Sequence, residues 1–336
     1  MSRSGHDRIR LDDVARLAGV SRSTASRVLS GAGEFSASAE TAVLEASRRL
    51  GYQVDPTARA LATGTPALPD GRGGRIVVCV VGPTRVVLDD LYVGRAVAAV
   101  AETAQGFGAG VSLEWLPLGG RDLGFLATAP GVRGVILFNT VEPLLAGLPR
   151  TVLGRVVSVG IGSPQVPRFS IDTAGAAELM ATHLLASGRR EVAMVTGPPW
   201  LPCVQPQSQG YIDVVSAAGL EPRLVPGDFT SAAGAAGALA VLRRWLSTDA
   251  VFTTCDATAL GVLSVLRRRG VRVPDDVAVA GFDDIPFAAQ SSPTLTTATH
   301  PVARSAASAA LSLLEPAVAD SLPHHFGSEL VLRESA

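Results

Sequence analysis

The chain's 336 residues allow two or three domains, and a composition that is 47% hydrophobic is ample for a sizeable core. A net charge of −1 excludes a global basic field for nucleic acid, so such a signal must be local. Cys79, Cys203 and Cys255 have neither CxxC nor metal spacing, the leading MSRSGHDRIRLDD has no apolar core, and no apolar run approaches the ~18 residues of a bilayer span. These features predict an unexported cytoplasmic protein without a membrane partner, and they exclude a secreted binding protein. The chain has no lysine, and Arg3–Ser30 holds six Arg and one His against three Asp.

The stretch LDDVARLAGVSRSTASRVLS, residues 11–30, has the pattern of two short helices hinged at Gly19. Val14, Leu17 and Ala18 recur at i, i+3, i+4, which predicts one apolar face, widened by Ala15. A second helix opens at Ser21, a good N-cap type, with Ala25, Val28 and Leu29 as its stripe. Arg22, Ser23, Ser26 and Arg27 then project from the opposite side, with Ser21 and Thr24 along its edges. Arginine can pair with guanine O6 and N7, and small hydroxyl residues donate to phosphates and let a helix approach closely. An ordinary solvated helix pair would show the same periodicity. A third helix follows in FSASAETAVLEASRRLGY, with Ser36 as N-cap, Val43, Leu44 and Leu50 apolar, and Gly51 suited to the C-terminal turn.

The run DVARLAGVSRSTASRVLSG, the third helix and the segment DPTARALATG together resemble, without a gap, the DNA-binding headpiece and hinge of the lac repressor (LacI/GalR) family. The resemblance implies that Arg22, Ser23 and Arg27 read base edges, that Ser21, Thr24 and Ser26 hold phosphates, and that Leu61 wedges into the minor groove of double-stranded operator DNA. Three positions depart from the family pattern. Arg10 stands in place of the capping Ser or Thr, Asp55 replaces the hinge Asn, and Glu34 puts a negative charge near the phosphate path.

TPALPDGRGG, from Thr65 to Gly74, is rich in Pro and Gly without periodicity and reads as a linker, longer than the family's. Beyond it, strand-length apolar runs alternate with helical patterns, as parallel sheets of βαβ units require. Strands are predicted at 76–81, 111–115, 135–138, 156–159, 192–196, 250–253 and 277–280. Helices are predicted at 91–104, 174–187, 212–218, 232–246 and 257–269, with 295–299 and the helix 303–314 crossing back. The predicted fold is an all-α helix-turn-helix headpiece (residues 1–52), a hinge and linker (53–74) and an α/β two-lobed core of doubly wound parallel sheets (75–336). Lobe one is placed at about 75–160 and 296–325, and lobe two at about 163–290.

Ligands bind such sheets at the carboxyl ends of strands, where Asp172, Asp256 and the pair Asp283–Asp284 fall. Asp172 and Asp256 equally suit helix N-caps, whereas two adjacent carboxylates after VAVAGF suit a polar small molecule. GVILF, SIDTAGA, HLLASGRREVAMVTGPP, VFTTCDATALG and SPTLTTATHPV resemble the same family's periplasmic-binding-protein-like effector domain. That resemblance implies effector contacts at Asp172, Asp256, Asp283, Phe229 and His300. At two further contact positions Gln207 stands where the family has arginine and Cys255 where it has asparagine. Losing a guanidinium fork and an amide removes donors for hydroxyls and carboxylates, so the expected effector, sugar-like or nucleobase-like, is less charged or is absent.

Trp200 and Tyr211 are candidates for stacking on a ligand ring, with loop packing an equal reading for Trp200. His324–His325 has no third ligand, so no metal site is assigned, and no P-loop, GxGxxG or Ser-His-Asp spacing supports catalysis or a cofactor. The family implies a regulator that binds a pseudo-palindromic operator as a homodimer or a dimer of dimers. Its effector would order or disorder the hinge at Thr57–Thr63. No leucine-heptad tail follows Leu332, which argues against a coiled-coil tetramer. The alternative is a cytoplasmic binding protein that has lost DNA recognition, for which Glu34, Asp55 and the long linker speak.

Overall fold

Gly19 sits at φ +66°, a left-handed turn that only glycine adopts without strain, and it stops the first helix one residue after Ala18. The computed structural model describes residues 11–30, 36–50, 73–119, 123–124 and 129–336. They fall into two units, one N-terminal to Gly74 and one from Gly74 to Ala336. In the first, α1 (Leu11–Ala18), α2 (Arg22–Ser30) and α3 (Ala37–Leu50) enclose a small core of Val14, Ala15, Ala25, Val28, Val43 and Ala46. Ser21 Oγ accepts from Thr24 N at 3.0 Å and Ser36 Oγ from Ala39 N at 3.3 Å, so each hydroxyl satisfies a helix-terminal N–H. Of the predicted stripe of α1, Val14, Ala15 and Ala18 face the core and Leu17 does not. Leu17 is 43% exposed, and the inner face is Leu11, Val14, Ala15 and Ala18, which keeps i, i+3, i+4, i+7 with small residues where α3 crosses. Leu44 of α3 is likewise exposed.

In the second unit β1 (Arg75–Val81), α4 (Leu91–Gly106), β2 (Gly110–Leu116), β3 (Val132–Phe138), α5 (Glu142–Ala146), β4 (Val156–Val159) and β5 (Arg168–Ile171) open a first lobe. Its sheet has the order β11-β5-β4-β3-β1-β2, all parallel, with β11 at His325–Phe326. The two-residue period of β1 sends Ile76, Val78 and Val80 toward α4 and α10 (Val302–Leu314), and Val77, Cys79 and Val81 toward Leu144 and Leu145 of α5.

The second lobe follows as α6 (Thr173–Ala186), β6 (Val192–Val195), α7 (Val204–Ala217), β7 (Arg223–Val225), α8 (Ser231–Arg244), β8 (Ala250–Thr253), α9 (Asp256–Arg268) and β9 (Ala278–Ala280). Its parallel sheet runs β7-β6-β8-β9. Tyr211, Met180 and Phe252 fill one side and Val251, Val262 and Leu266 the other. The helix predicted over 212–218 begins eight residues earlier, because Pro206 in its first turn needs no hydrogen-bonded N–H.

The lobe boundaries differ from those expected. β5 pairs with β4 through Val159↔Phe169, so residues 168–171 belong to lobe one. β10 (Thr297–Ala298) stays with lobe two: Gly281 N donates to Thr296 O and Asp283 N to Ala298 O, each at 2.9 Å. The chain enters lobe one again only with α10, and after β11 it returns once more. β12 (Leu330–Val331) pairs antiparallel with β10, and Val279 N donates to Ser335 O at 2.8 Å. Three crossings therefore join the lobes, near 172, 300 and 328. No helix among the described residues is long and apolar enough to cross a membrane.

Candidate ligand cleft and DNA-facing helix

On α2 the buried stripe of Ala25 and Val28 fixes which way the polar residues point. Ser21, Arg22, Ser23, Ser26 and Arg27 are exposed and Thr24 is half-buried at the edge. Arg27 Nε donates to Ser23 O at 3.3 Å, and Arg22 Nε stands 3.4 Å from Asp12 Oδ1 in a solvent-exposed pair that holds the guanidinium only weakly. Ser21 Oγ also lies 2.8 Å from both Ser23 Oγ and Thr24 Oγ1, so three hydroxyls cluster at the helix N-terminus, where backbone N–H groups favour anions. Leu61, Arg10, Glu34 and Asp55, with the hinge and linker up to residue 72, lie outside the described residues.

Between the lobes of the second unit, at the carboxyl ends of both sheets, is a cleft of about 250 Å³. Asp172, Gln207, Phe229, Cys255, Asp283 and His300 all line it. Asp172 follows β5: Oδ1 accepts from Gly175 N at 2.9 Å as the N-cap of α6, and the residue borders the cleft. Gln207 is buried and its amide donates to Thr254 O at 3.3 Å.

Asp256 is a correction. It is fully buried behind the cleft, where Oδ2 accepts from Ile285 N at 2.9 Å and Oδ1 from the Thr297 hydroxyl at 2.6 Å. At the first position of α9 its side chain braces the second crossing and is not part of the cleft lining. The pair Asp283–Asp284 also divides. Both have positive φ, +120° and +50°, which turns their side chains apart, and Asp284 is bound by Arg333 Nη2 at 2.7 Å. Asp283 alone faces the cleft. Tyr211 is core: its hydroxyl donates to Val192 O and accepts from Arg223 N. Trp200 packs against lobe-one side chains, and His324 stacks on Phe169 at 4.5 Å. His325 lines the cleft with Nδ1 3.0 Å from Ser170 Oγ, and no group of three metal-ligating side chains occurs among the described residues.

The sequence reading missed Asp90, Tyr92 and Thr254. Asp90 caps α4 through Tyr92 N at 3.0 Å, and the short 3-10 turn Arg85–Asp89 separates it from the end of β1, so inspection of the residues just after strands passes over it. Tyr92 stacks on the His300 ring at 4.9 Å, and Phe282 touches the same ring from lobe two. Arg95, one turn along α4, donates to Asp283 O at 2.7 Å and His300 O at 3.5 Å, tying lobe one to the second crossing.

Burial dominates the electrostatics. Desolvation pushes Asp283 well above the usual carboxylate range, helped by the charge of Asp90, and raises Asp90 itself. His300 is driven down to about 3 by burial and then by Arg95. Its Nδ1 lies 2.9 Å from Asp283 Oδ1 without hydrogen-bond alignment, so the two groups face each other in their neutral forms. The Cys203 thiol is pushed up to about 12, also by burial, and Cys255 likewise rises well above its ordinary value. Both stay protonated and unreactive. The arrangement offers a small molecule a cleft bordered by the chain crossings near 172 and 300.

Residues 10–55 match the bacterial regulatory proteins, lacI family, and residues 181–336 match the periplasmic binding protein-like domain. The chain is 33% identical over 304 residues to the HTH-type transcriptional regulator CelR of Thermobifida fusca, covering 87% of this chain and 86% of that one. It is 32% identical over 346 residues to the HTH-type transcriptional regulator MalR of Streptomyces coelicolor, at 97% and 96% coverage. A solved transcriptional regulator CelR–cellobiose complex superposes with a TM-score of 0.66 at 29% identity, covering 98% of this chain and all of the other. Because the likeness runs through both the helix-turn-helix and the cleft-bearing core, the chain belongs to the lacI family of bacterial transcriptional regulators.

Proposed function

We propose that this protein binds a pseudo-palindromic operator as a dimer, with Arg22, Ser23 and Arg27 on base edges and Ser21, Thr24 and Ser26 on phosphates. A small molecule in the interlobe cleft controls that binding. The observation that carries the reading is the polarity of α2, whose guanidinium and hydroxyl groups stand exposed on the side opposite Ala25 and Val28. Support for effector control comes from Asp172, Gln207, Phe229, Cys255, Asp283 and His300, which share one cleft beside the crossings between lobes. Closure of the lobes on a ligand changes their relative tilt, and the ligand shifts DNA affinity by its differential binding to the two states.

Selection of bound sites from a randomised duplex library, with full-length protein at two salt concentrations, tests this. A single palindrome with a steep salt slope is the expected outcome, and weak binding blind to sequence would overturn it. On the selected duplex, Arg22→Ala is expected to relax preference at one base pair per half-site and to cost about 1–3 kcal/mol. Equal weakening on every sequence would instead place Arg22 on a phosphate.

A further inference from the structure

The cleft combines apolar side chains with the neighbouring carboxyl groups of Asp90 and Asp283. Tyr92, Ile161, Ile171, Leu201, Pro206 and Phe229 form much of its surface, and the protonated thiols of Cys203 and Cys255 add to it. Asn139, Arg168, Ser170, Asp172, Thr173 and His325 add polar groups to the same lining. Asp90 makes one hydrogen bond, to a backbone N–H, and no ion pair among the described residues. Arg95 spends its donors on the backbone carbonyls of Asp283 and His300, not on either carboxylate. Gln207 uses its amide on the wall, and the guanidinium of Arg168 on the described lining is solvent-exposed. In the same lining, Thr254 is 2% exposed and its hydroxyl has no hydrogen-bond partner, and Nδ1 of His300 is also unsatisfied. A buried hydroxyl left unpaired in a ligand cleft is a vacancy for a polar atom of the ligand.

We propose that the effector is an organic amine, with a protonated nitrogen held between Asp90 and Asp283 near the Thr254 hydroxyl and an aromatic or alkyl body against Tyr92, Leu201 and Phe229. This rests on the reading of the cleft as the effector site and names the class of molecule that fills it. A charge-assisted hydrogen bond to a carboxylate in a dry cleft discriminates strongly against a neutral isostere, and the aromatic walls favour the cation further. Burial keeps Asp283 neutral in the free protein; a bound ammonium group favours its ionised form, whereas an acidic ligand opposes ionisation of Asp90 and Asp283 alike.

The test is calorimetry on the full chain with phenethylamine, tyramine and benzylamine, against phenethyl alcohol, hydrocinnamate and cellobiose. At least one amine is expected to bind about tenfold or more tighter than the alcohol, with no binding of the acid. Asp283→Asn and Asp90→Asn are expected to remove that advantage, leaving the amine and the alcohol within about twofold of each other. Asparagine tolerates the positive φ at 283 and caps a helix at 90, so both variants are expected to keep the wild-type melting temperature within a few degrees. Failure of all three amines to bind, tighter binding of cellobiose or the acid, or an amine preference that survives both substitutions overturns the proposal. Measuring occupancy of the selected duplex with the same compounds separates the two readings. A sugar that binds and alters DNA occupancy keeps effector control and removes the amine. An amine that binds through Asp283 without altering occupancy keeps the amine and removes effector control.

Discussion

Replacing Gly261 by alanine is expected to destabilise the core by about 3 kcal/mol or more, read as a lowered urea midpoint at unchanged slope. Gly261 on α9 faces α8 so closely that a Cβ built there lies 2.8 Å from the Ser231 carbonyl carbon and closer still to its oxygen, with Ala235 N at 2.9 Å. All three are backbone atoms, so nothing can rotate aside and the helices must separate. Gly234 of α8 has the reciprocal relation to the Thr258 backbone, and the contacts of Val241, Val262 and Leu266 beneath both helices would loosen together. Alanine's better helix propensity returns only about 1 kcal/mol. The same exchange at Gly94, an exposed position of α4 with nothing within 4 Å, is expected to raise stability by about 0.5–1 kcal/mol. Equal midpoints for the two variants would show that α8 and α9 are not locked by this approach.

The second large effect is a fall in core stability as pH rises from about 6.5 to about 8. Burial raises Asp256 to about 8 in the folded chain, with the charge of Asp283 contributing, against an ordinary value of 3.8. Between those values the folded state holds a proton that the unfolded state has released, so stability is full below about 3.8 and is lost as pH climbs toward 8. Asp283 and Asp90 are shifted the same way. His300 acts oppositely: its pKa falls from 6.5 to about 3, so its contribution is complete above 6.5 and is lost on acidification. The window above 6.5 therefore belongs to the carboxyl groups, at up to about 1.4 kcal/mol per pH unit for each proton involved. Asp256→Asn preserves an acceptor for Ile285 N–H and offers its amide to Thr297 Oγ1, so it is expected to fold and to flatten the slope by about one proton. Asp256→Ala orphans two buried donors and is expected to cost about 3 kcal/mol at any pH in that window. Parallel wild-type and Asp256→Asn curves from pH 6.5 to 8 would remove Asp256 as the source.

The two residues just discussed illustrate what a linear reading misses. Asp256 and Asp283 look alike in sequence, each a carboxylate directly after a buried strand. The first is enclosed because the Thr297 segment lies against it, and that segment is 41 residues further on. Asp90 was invisible for the converse reason: a one-turn excursion carries it away from β1, and only closure of the helix N-terminus over the sheet edge returns it to the cleft. Leu17 fell on the wrong face because an i, i+3, i+4 pattern with several small residues is satisfied by two neighbouring phases of the helix, and packing against α3 selects one.

The sequence alone determined the helix-turn-helix, the alternation that builds two parallel sheets, and the polar face of α2, since periodicity, caps and a turn glycine are local properties. It also placed Asp172, Gln207, Phe229, Cys255, Asp283 and His300 together through resemblance to a family. Tertiary structure alone decided that β5 joins lobe one, that β10 stays with lobe two, and that Arg95 and Tyr92 meet the second crossing. It also decided which carboxyl groups face the cleft and which serve as braces. Strand partners and burial arise from contacts between segments far apart in the chain, and the desolvation that raises Asp90, Asp256 and Asp283 exists only after those segments have closed around them.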